Sequence, residues 1–231
     1  VFLVGFQQLV NDLVRDKDQV ISSTARDSAI EAALARYSTD APRMVVEDVT
    51  SAGGSTLALP TGWAPQWSWL AMVEFPIGRT PPAEINLAGT AIYTAPAGEE
   101  LRLVISLVAG DVVRLTYAAP HILSPLLNTI PAEHRRPVAA LAASDLCGQL
   151  ASYYATEGAP TIGADTVDHL TKTERWTRRA RDLRNDYTSV VGSAPSARDK
   201  PASATVHLPS RDSLGGRRLF HPPSDWPRTQ S

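Results

Sequence analysis

The stretch RDSAIEAALARYSTDAPR, residues 26–43, runs directly into MVVEDV, residues 44–49, and the period of its apolar residues changes there. Ala29, Ile30, Ala33, Leu34 and Tyr37 recur in steps of three and four, which places them on one face of an α-helix. Pro42 ends that helix: it cannot donate the next backbone hydrogen bond, and it pushes the residue before it out of the helical region. From Met44 the chain becomes rich in β-branched residues. Because helical patterns return after residue 135, the layout is a β segment inserted between helices. The helices must pack on one another to bury their apolar faces, which leaves the insert free to present a surface.

Reading toward the N-terminus, Leu3, Phe6, Leu9, Val10, Leu13 and Val14 form a second amphipathic stripe, which should stop near the charged run Arg15 to Asp18. The next helix is expected to begin near Thr24, with Asp27 as its capping-box partner. The apolar run Val1 to Phe6 is far shorter than the roughly 20 residues a bilayer span needs, so it is not read as an anchor. The expectation is a soluble protein, cytosolic at synthesis, with no membrane partner.

Reading onward, Met44–Val49, Thr56–Leu59, Leu70–Phe75, Leu101–Leu107 and Val112–Tyr117 are short β-prone runs separated by glycine-containing turns. They predict a small antiparallel sheet or barrel of five or six strands. Leu103, Ile105 and Leu107 alternate with Val104 and Ser106, and Val113, Leu115 and Tyr117 with Arg114 and Thr116, which gives the last hairpin one core face and one wetter face. After a proline-containing loop a helix should start near Pro137 and bury Val138, Leu141, Leu146, Leu150 and Tyr153. A last helix over about 171–191 should be capped by Thr171 and Glu174 and bury Leu170, Trp176, Ala180, Leu183, Tyr187 and Val190.

The fold class is therefore α+β, a helical bundle with an inserted small antiparallel β domain and an extended C-terminal tail. The expected divisions are 1–43 for the N-terminal helices, 44–120 for the insert, 121–191 for the C-terminal helices and 192–231 for the tail. The tail is rich in Ser, Pro, Ala and Arg and is expected to order only on a partner. Thr205, Val206, His207 and Leu208 have the character of a segment that adds a strand to a sheet edge. Arg217 and Arg218 supply charge, and Leu219, Phe220 and Trp226 are the candidate anchors. The alternative is a leftover without a role.

At 231 residues and 43% hydrophobic the chain can build a real core. With a formal net charge of -2 the whole molecule does not read as a polyanion binder, so a nucleic-acid role needs a local basic face. The last helix offers one in Arg175, Arg178, Arg179 and Arg181, although Asp182 could pair with Arg178 on a merely solvated face. The lone Cys147 sits among alanines and leucines and reads as a buried thiol. No phosphate-binding loop, nucleophile elbow or metal-ligand spacing is present. His121, His134, His169, His207 and His221 lie apart, and Asp165, Asp168 and His169 read as a loop ahead of the final helix. The expectation is no catalytic residue, no metal and no cofactor. Trp63, Trp67 and Trp69 could make a carbohydrate or peptide platform, but are read as a core plug or a subunit contact.

Several segments carry a family resemblance. They are Arg26-Asp27-Ser28-Ala29-Ile30, Arg36-Tyr37-Ser38, Pro42-Arg43, Val46-Glu47-Asp48-Val49, Leu59-Pro60 with Gly62-Trp63, and Glu74-Phe75-Pro76-Ile77-Gly78. Later come Tyr93-Thr94-Ala95-Pro96-Ala97-Gly98, Thr116-Tyr117-Ala118-Ala119-Pro120-His121, and Thr129-Ile130-Pro131-Ala132. In this order, from about residue 10 to residue 191, they resemble the head-tail connector (adaptor, head-completion) proteins of tailed bacteriophages. The resemblance implies copies assembled in a ring, a dodecamer, beneath the portal protein at the capsid vertex. Such a ring extends the channel through which genomic DNA passes, without sequence-specific binding, and docks the next neck or tail protein. It implies a location in the virion neck, with the host cytoplasm as the site of assembly. The reading from another class is a DNA-binding module using the basic final helix.

Overall fold

The computed structural model describes residues 2–96, 98–156 and 172–192. Helix α1 (Leu3–Val14) buries Phe6, Val10 and Val14 and stops on Arg15, whose left-handed φ of 56° turns its amide onto Asn11 O. Helix α2 (Ser23–Asp40) is capped by Ser22, whose hydroxyl accepts from the Ala25 N–H. The expected start at Thr24 is corrected: Thr24 lies inside the first turn, and Asp27 instead accepts from Gln7 Nε2 at 2.8 Å and from Arg26 Nε at 3.1 Å.

A single 3-10 turn, Ala132–His134, leads into helix α3 (Arg135–Thr156) with Pro137 accommodated in the first turn. From Val138 to Ser144 every residue of α3 is buried, because it packs against α1, α2 and the fourth helix α4 (Lys172–Val190). Ala139, Ala140, Ala142 and Ala143 are what allow such close approach: larger side chains would hold the neighbouring helices apart. Two expected core positions are corrected. Tyr153 and Val190 are largely exposed, while Tyr154 packs on the core and Val191 is buried. In both cases the stripe continues by steps of four, from Leu150 to Tyr154 and from Tyr187 to Val191, as the geometry of a straight helix favours.

Six strands, β1 (Arg43–Thr50), β2 (Gly54–Leu57), β3 (Leu70–Glu74), β4 (Ala91–Ala95), β5 (Gly98–Leu107) and β6 (Val112–Ala119), lie between α2 and α3. They form two three-stranded antiparallel sheets, β1-β6-β3 and β2-β5-β4, rather than one sheet or a barrel. Leu57, Leu101, Leu103 and Leu107 from one sheet meet Val73, Val113, Leu115 and Tyr117 from the other in a single core, a small sandwich. β2 ends earlier than expected because the chain is already turning at Pro60, whose carbonyl accepts from Trp63 N. β4 was not anticipated as a strand: four of its five residues are exposed, so it has no alternation to read.

The helical cluster and the strand cluster are separate sets of side chains. The chain passes between them twice, at Ala41–Arg43 and at Ala119–His121, and the two crossings are neighbours because Arg43 pairs with Ala119. The expected tail lies outside the described residues. Among the described residues no helix is long and apolar enough to cross a membrane.

Candidate functional site

Helix α4 turns Leu183 and Tyr187 inward and leaves Arg175, Arg178, Arg181 and Arg184 exposed. Arg179 has a different task. Its Nε donates to Leu13 O at 3.0 Å and its Nη2 donates to the same oxygen, satisfying a carbonyl that the end of α1 leaves without a helical partner. Arg184 pairs with Asp145 at 3.1 Å. The pairing of Arg178 with Asp182 allowed by their spacing does not form, so Arg175, Arg178 and Arg181 make the solvated part of the basic face.

Beside it, a cleft of about 520 Å³ gathers Arg15, Lys17, Lys172, Arg175 and Arg179 against Asp16 and Asp18, with Tyr154 and Trp176 in its wall. Lys172 Nζ lies 3.5 Å from Asp18 and 4.6 Å from the centre of the Tyr154 ring. The hydrogen bond from Tyr154, then the Lys172 charge, hold the Asp18 carboxyl below its ordinary range. The arrangement suits an anionic group near an aromatic surface. Cys147 is fully buried, and burial pushes its thiol up to about 11, as the sequence reading expects of an inert cysteine. Among the described residues no group of three or more His, Cys, Asp or Glu side chains could hold a metal ion.

The tryptophans divide. Trp63 is a core plug: its ring lies 5.7 Å from that of Tyr117, and its Nε1 donates to Glu99 Oε2 at 2.9 Å. Glu99 Oε1 also accepts from Gln66 N, so one carboxylate fastens the whole 63–66 turn to β5. Trp67 and Trp69 are half-buried, and Ala118 N donates to Trp69 O, which ties that segment to β6. Of the three rings, that of Trp63 belongs to the strand core.

Two features escaped the sequence reading. The first is the 122–128 loop, which exposes Leu126 at 89% together with Ile122 and Leu127. It is closed by Ser124 N to Leu127 O at 2.7 Å and tied to α1 through Leu3 N to Ser124 O. The second is the joint around His121, which is buried and holds both chain crossings. Neither has a local signal beyond a run of uncharged residues and an isolated histidine. Thr205, Val206, His207, Leu208, Arg217, Arg218, Leu219, Phe220 and Trp226, with Asp165, Asp168, His169, Leu170 and the Thr171 cap, lie outside the described residues.

No family model matches the chain, and no curated protein matches it. Among solved structures, a chain from one described as the neck of a native GTA particle, computed with C12 symmetry, aligns with 18% identity. The alignment covers 76% of this chain and 92% of that one, with a TM-score of 0.27. A likeness of that size leaves the fold and the role of the present chain to rest on its own residues.

Proposed function

We propose that this chain is a structural component of a tailed-phage neck, an adaptor that forms a ring under the portal protein, extends the DNA channel and docks the next neck or tail protein. The observation that carries this reading is the ordered set of segments from Arg26 to Ala132 that resembles head-tail connector proteins. The architecture supports it: α3 is covered by three helices, and a sandwich with a core of its own sits between α2 and α3. The exposed, uncharged 122–128 loop supports a role in contact with other protein, since apolar side chains held on an ordered loop cost little to bury at an interface. The role is mechanical and needs no turnover. Residues 193–231 would supply part of the grip on the portal or on a neighbouring copy, in the virion and during assembly in the host cytoplasm.

The test is assembly. The free subunit is expected to be monomeric by light scattering at low micromolar concentration and to form a closed ring, twelvefold by the resemblance, when portal is added. A chain truncated after Gly192 should bind portal more weakly. Full-length protein that ignores portal, or that hydrolyses a nucleotide, ester, peptide or glycan and loses this on a point change, would sink the reading.

A second reading has its own observation, the unpaired Arg178 beside Arg175 and Arg181 on the solvent side of α4. As a DNA-binding module the isolated subunit would retard linear duplex in a salt-dependent way, and changing the three arginines to glutamine would abolish it.

A further inference from the structure

The two passages between helices and strands meet at one side chain. His121 N donates to Ser38 Oγ at 3.0 Å, and Ser38 Oγ in turn donates to Leu34 O within α2. The ring places Nε2 2.9 Å from Ala41 O on the other crossing, and Nδ1 3.1 Å from Thr129 O and 3.2 Å from Thr129 Oγ1. Its centre lies 4.6 Å from that of the Tyr37 ring, the two planes tilted by 39°, and the Tyr37 hydroxyl meets His134 Nδ1 at 2.7 Å. We propose that His121 is a positioning clasp that holds the strand unit at one angle on the helical bundle and closes the 122–129 loop through the same hydrogen bonds. The inference is independent of the assembly role.

The geometry selects one form of the ring. A neutral imidazole has a single N–H; Ala41 O, the partner of Nε2, can only accept, whereas Nδ1 has beside the Thr129 carbonyl a hydroxyl that can donate, so both nitrogens are satisfied only with the proton on Nε2. Nδ1 then accepts from the Thr129 hydroxyl, which itself accepts from Ile122 N at 2.8 Å. With the proton on Nδ1 instead, Nε2 would face Ala41 O lone pair to lone pair. Burial is the largest cause that holds this histidine below its ordinary value, and Arg43 from β1 and His134 from the 3-10 turn add like charge. The bonds to Ala41 and Thr129 act the other way. From α2 the facing groups are Tyr37 and Ser38, and Glu133 bears on Tyr37. A histidine whose folded value is lowered supports the closed state fully above its free value of about 6.5 and loses that support as pH falls toward the folded value.

The full chain is to be studied by nuclear magnetic resonance between pH 8 and pH 5. Long-range nitrogen–proton spectra should give the Nε2-protonated form at pH 7.5. Amide protection at Ile122 and Thr129, corrected for the intrinsic rate, should fall by up to about tenfold per pH unit below about 6.5, with Leu146 in α3 unchanged. Residual dipolar couplings of α3 and β6 should fit one alignment at pH 7.5 and two at pH 5. Thr129→Val should loosen the loop at pH 7.5 and Thr129→Ser should restore it. The Nδ1-protonated form, flat protection, a fall shared by Leu146, a single alignment throughout, or a Thr129→Val protein that behaves like wild type would each overturn the clasp. Should Thr129→Val fail to fold, the wild-type measurements still decide.

Discussion

The helical half and the strand half build their cores differently, one by close approach through small side chains and the other by large side chains locked through hydrogen bonds. Around α3 the core is apolar, with runs of alanine allowing three helices to close on a fourth, and carboxylates act at its edge: Asp145 with Arg184, Asp18 with Tyr154 and Asp40 with Tyr187. The sandwich has its own apolar core but is stitched at its rim by carboxylates. Glu47 accepts from Tyr117 Oη and from Thr61, Glu99 from Trp63 and Gln66, and Glu74 from Gly78 N, while Asp48 takes a bidentate Arg114 at 2.7 and 2.9 Å. The difference teaches that the two halves should answer to different perturbations. Packing changes should strike the bundle hardest, whereas loss of a single hydrogen bond should be felt most in the sandwich, where the carboxylates hold the buried rings of Trp63 and Tyr117.

The largest effect is expected from Leu146→Ala, which empties a fully buried site in α3 and should cost about 2–5 kcal/mol in urea denaturation. A loss under 1 kcal/mol would mean that the bundle is looser than its packing implies. Next is Gly62→Ala in the sandwich. A Cβ there would stand 2.5 Å from Tyr117 Oη, on a ring that is itself fully buried, so either the Glu47 bond breaks or the turn shifts. A cost of about 1–3 kcal/mol is expected, with the chemical-shift changes confined to the strands.

Smaller is the acid response. Arg114, by its hydrogen bond first and its charge second, holds the Asp48 carboxyl below the ordinary range. A lowered carboxyl contributes stability that is present above its unfolded value and lost as pH falls through its folded value. Protection of β1 and β6 amides should therefore drop below about pH 4 before that of the middle of α3 around Leu146, while the Tyr154 end of α3, where Asp18 is lowered in the same way, shares the drop. Arg114→Gln should remove most of the step in β1 and β6, and an identical acid profile around Leu146 would break the comparison. The smallest effect is expected from Arg178→Ala, within about 0.5 kcal/mol of wild type, because the side chain is exposed and unpaired. A larger loss would mean that the basic face is structural.

Much of this was legible from local period alone. The stripe Ala29, Ile30, Ala33 and Tyr37 and the alternation in β5 and β6 follow from side-chain spacing, which the backbone geometry of a helix or strand converts directly into faces, and the burial of Cys147 follows from its alanine and leucine neighbours. The Ala-Gly-Asp turn is equally local: Gly110 takes a φ of 95° that an L side chain resists, and Asp111 accepts from Val108 N. Where local signals compete they mislead. Ser22, Ser23 and Thr24 are all competent caps, and only the extended backbone at Ser22 selects among them. β4 has no alternation because its sheet leaves both of its faces wet.

The amino-acid sequence by itself determined the succession of helix, strand and helix, the inward face of most elements, and the absence of a recognised reaction motif. Tertiary structure alone decided that the six strands divide into two sheets, that Tyr154 rather than Tyr153 packs on the bundle, and that Arg179 serves α1. It also decided that His121 joins the crossings. The physical reason is separation along the chain. Period is set by neighbours a few residues apart, but Arg179 finds Leu13 across 166 residues and His121 finds Ser38 across 83. Contacts of that span depend on how completed elements pack, because no local pattern carries the entropy cost of closing so long a loop.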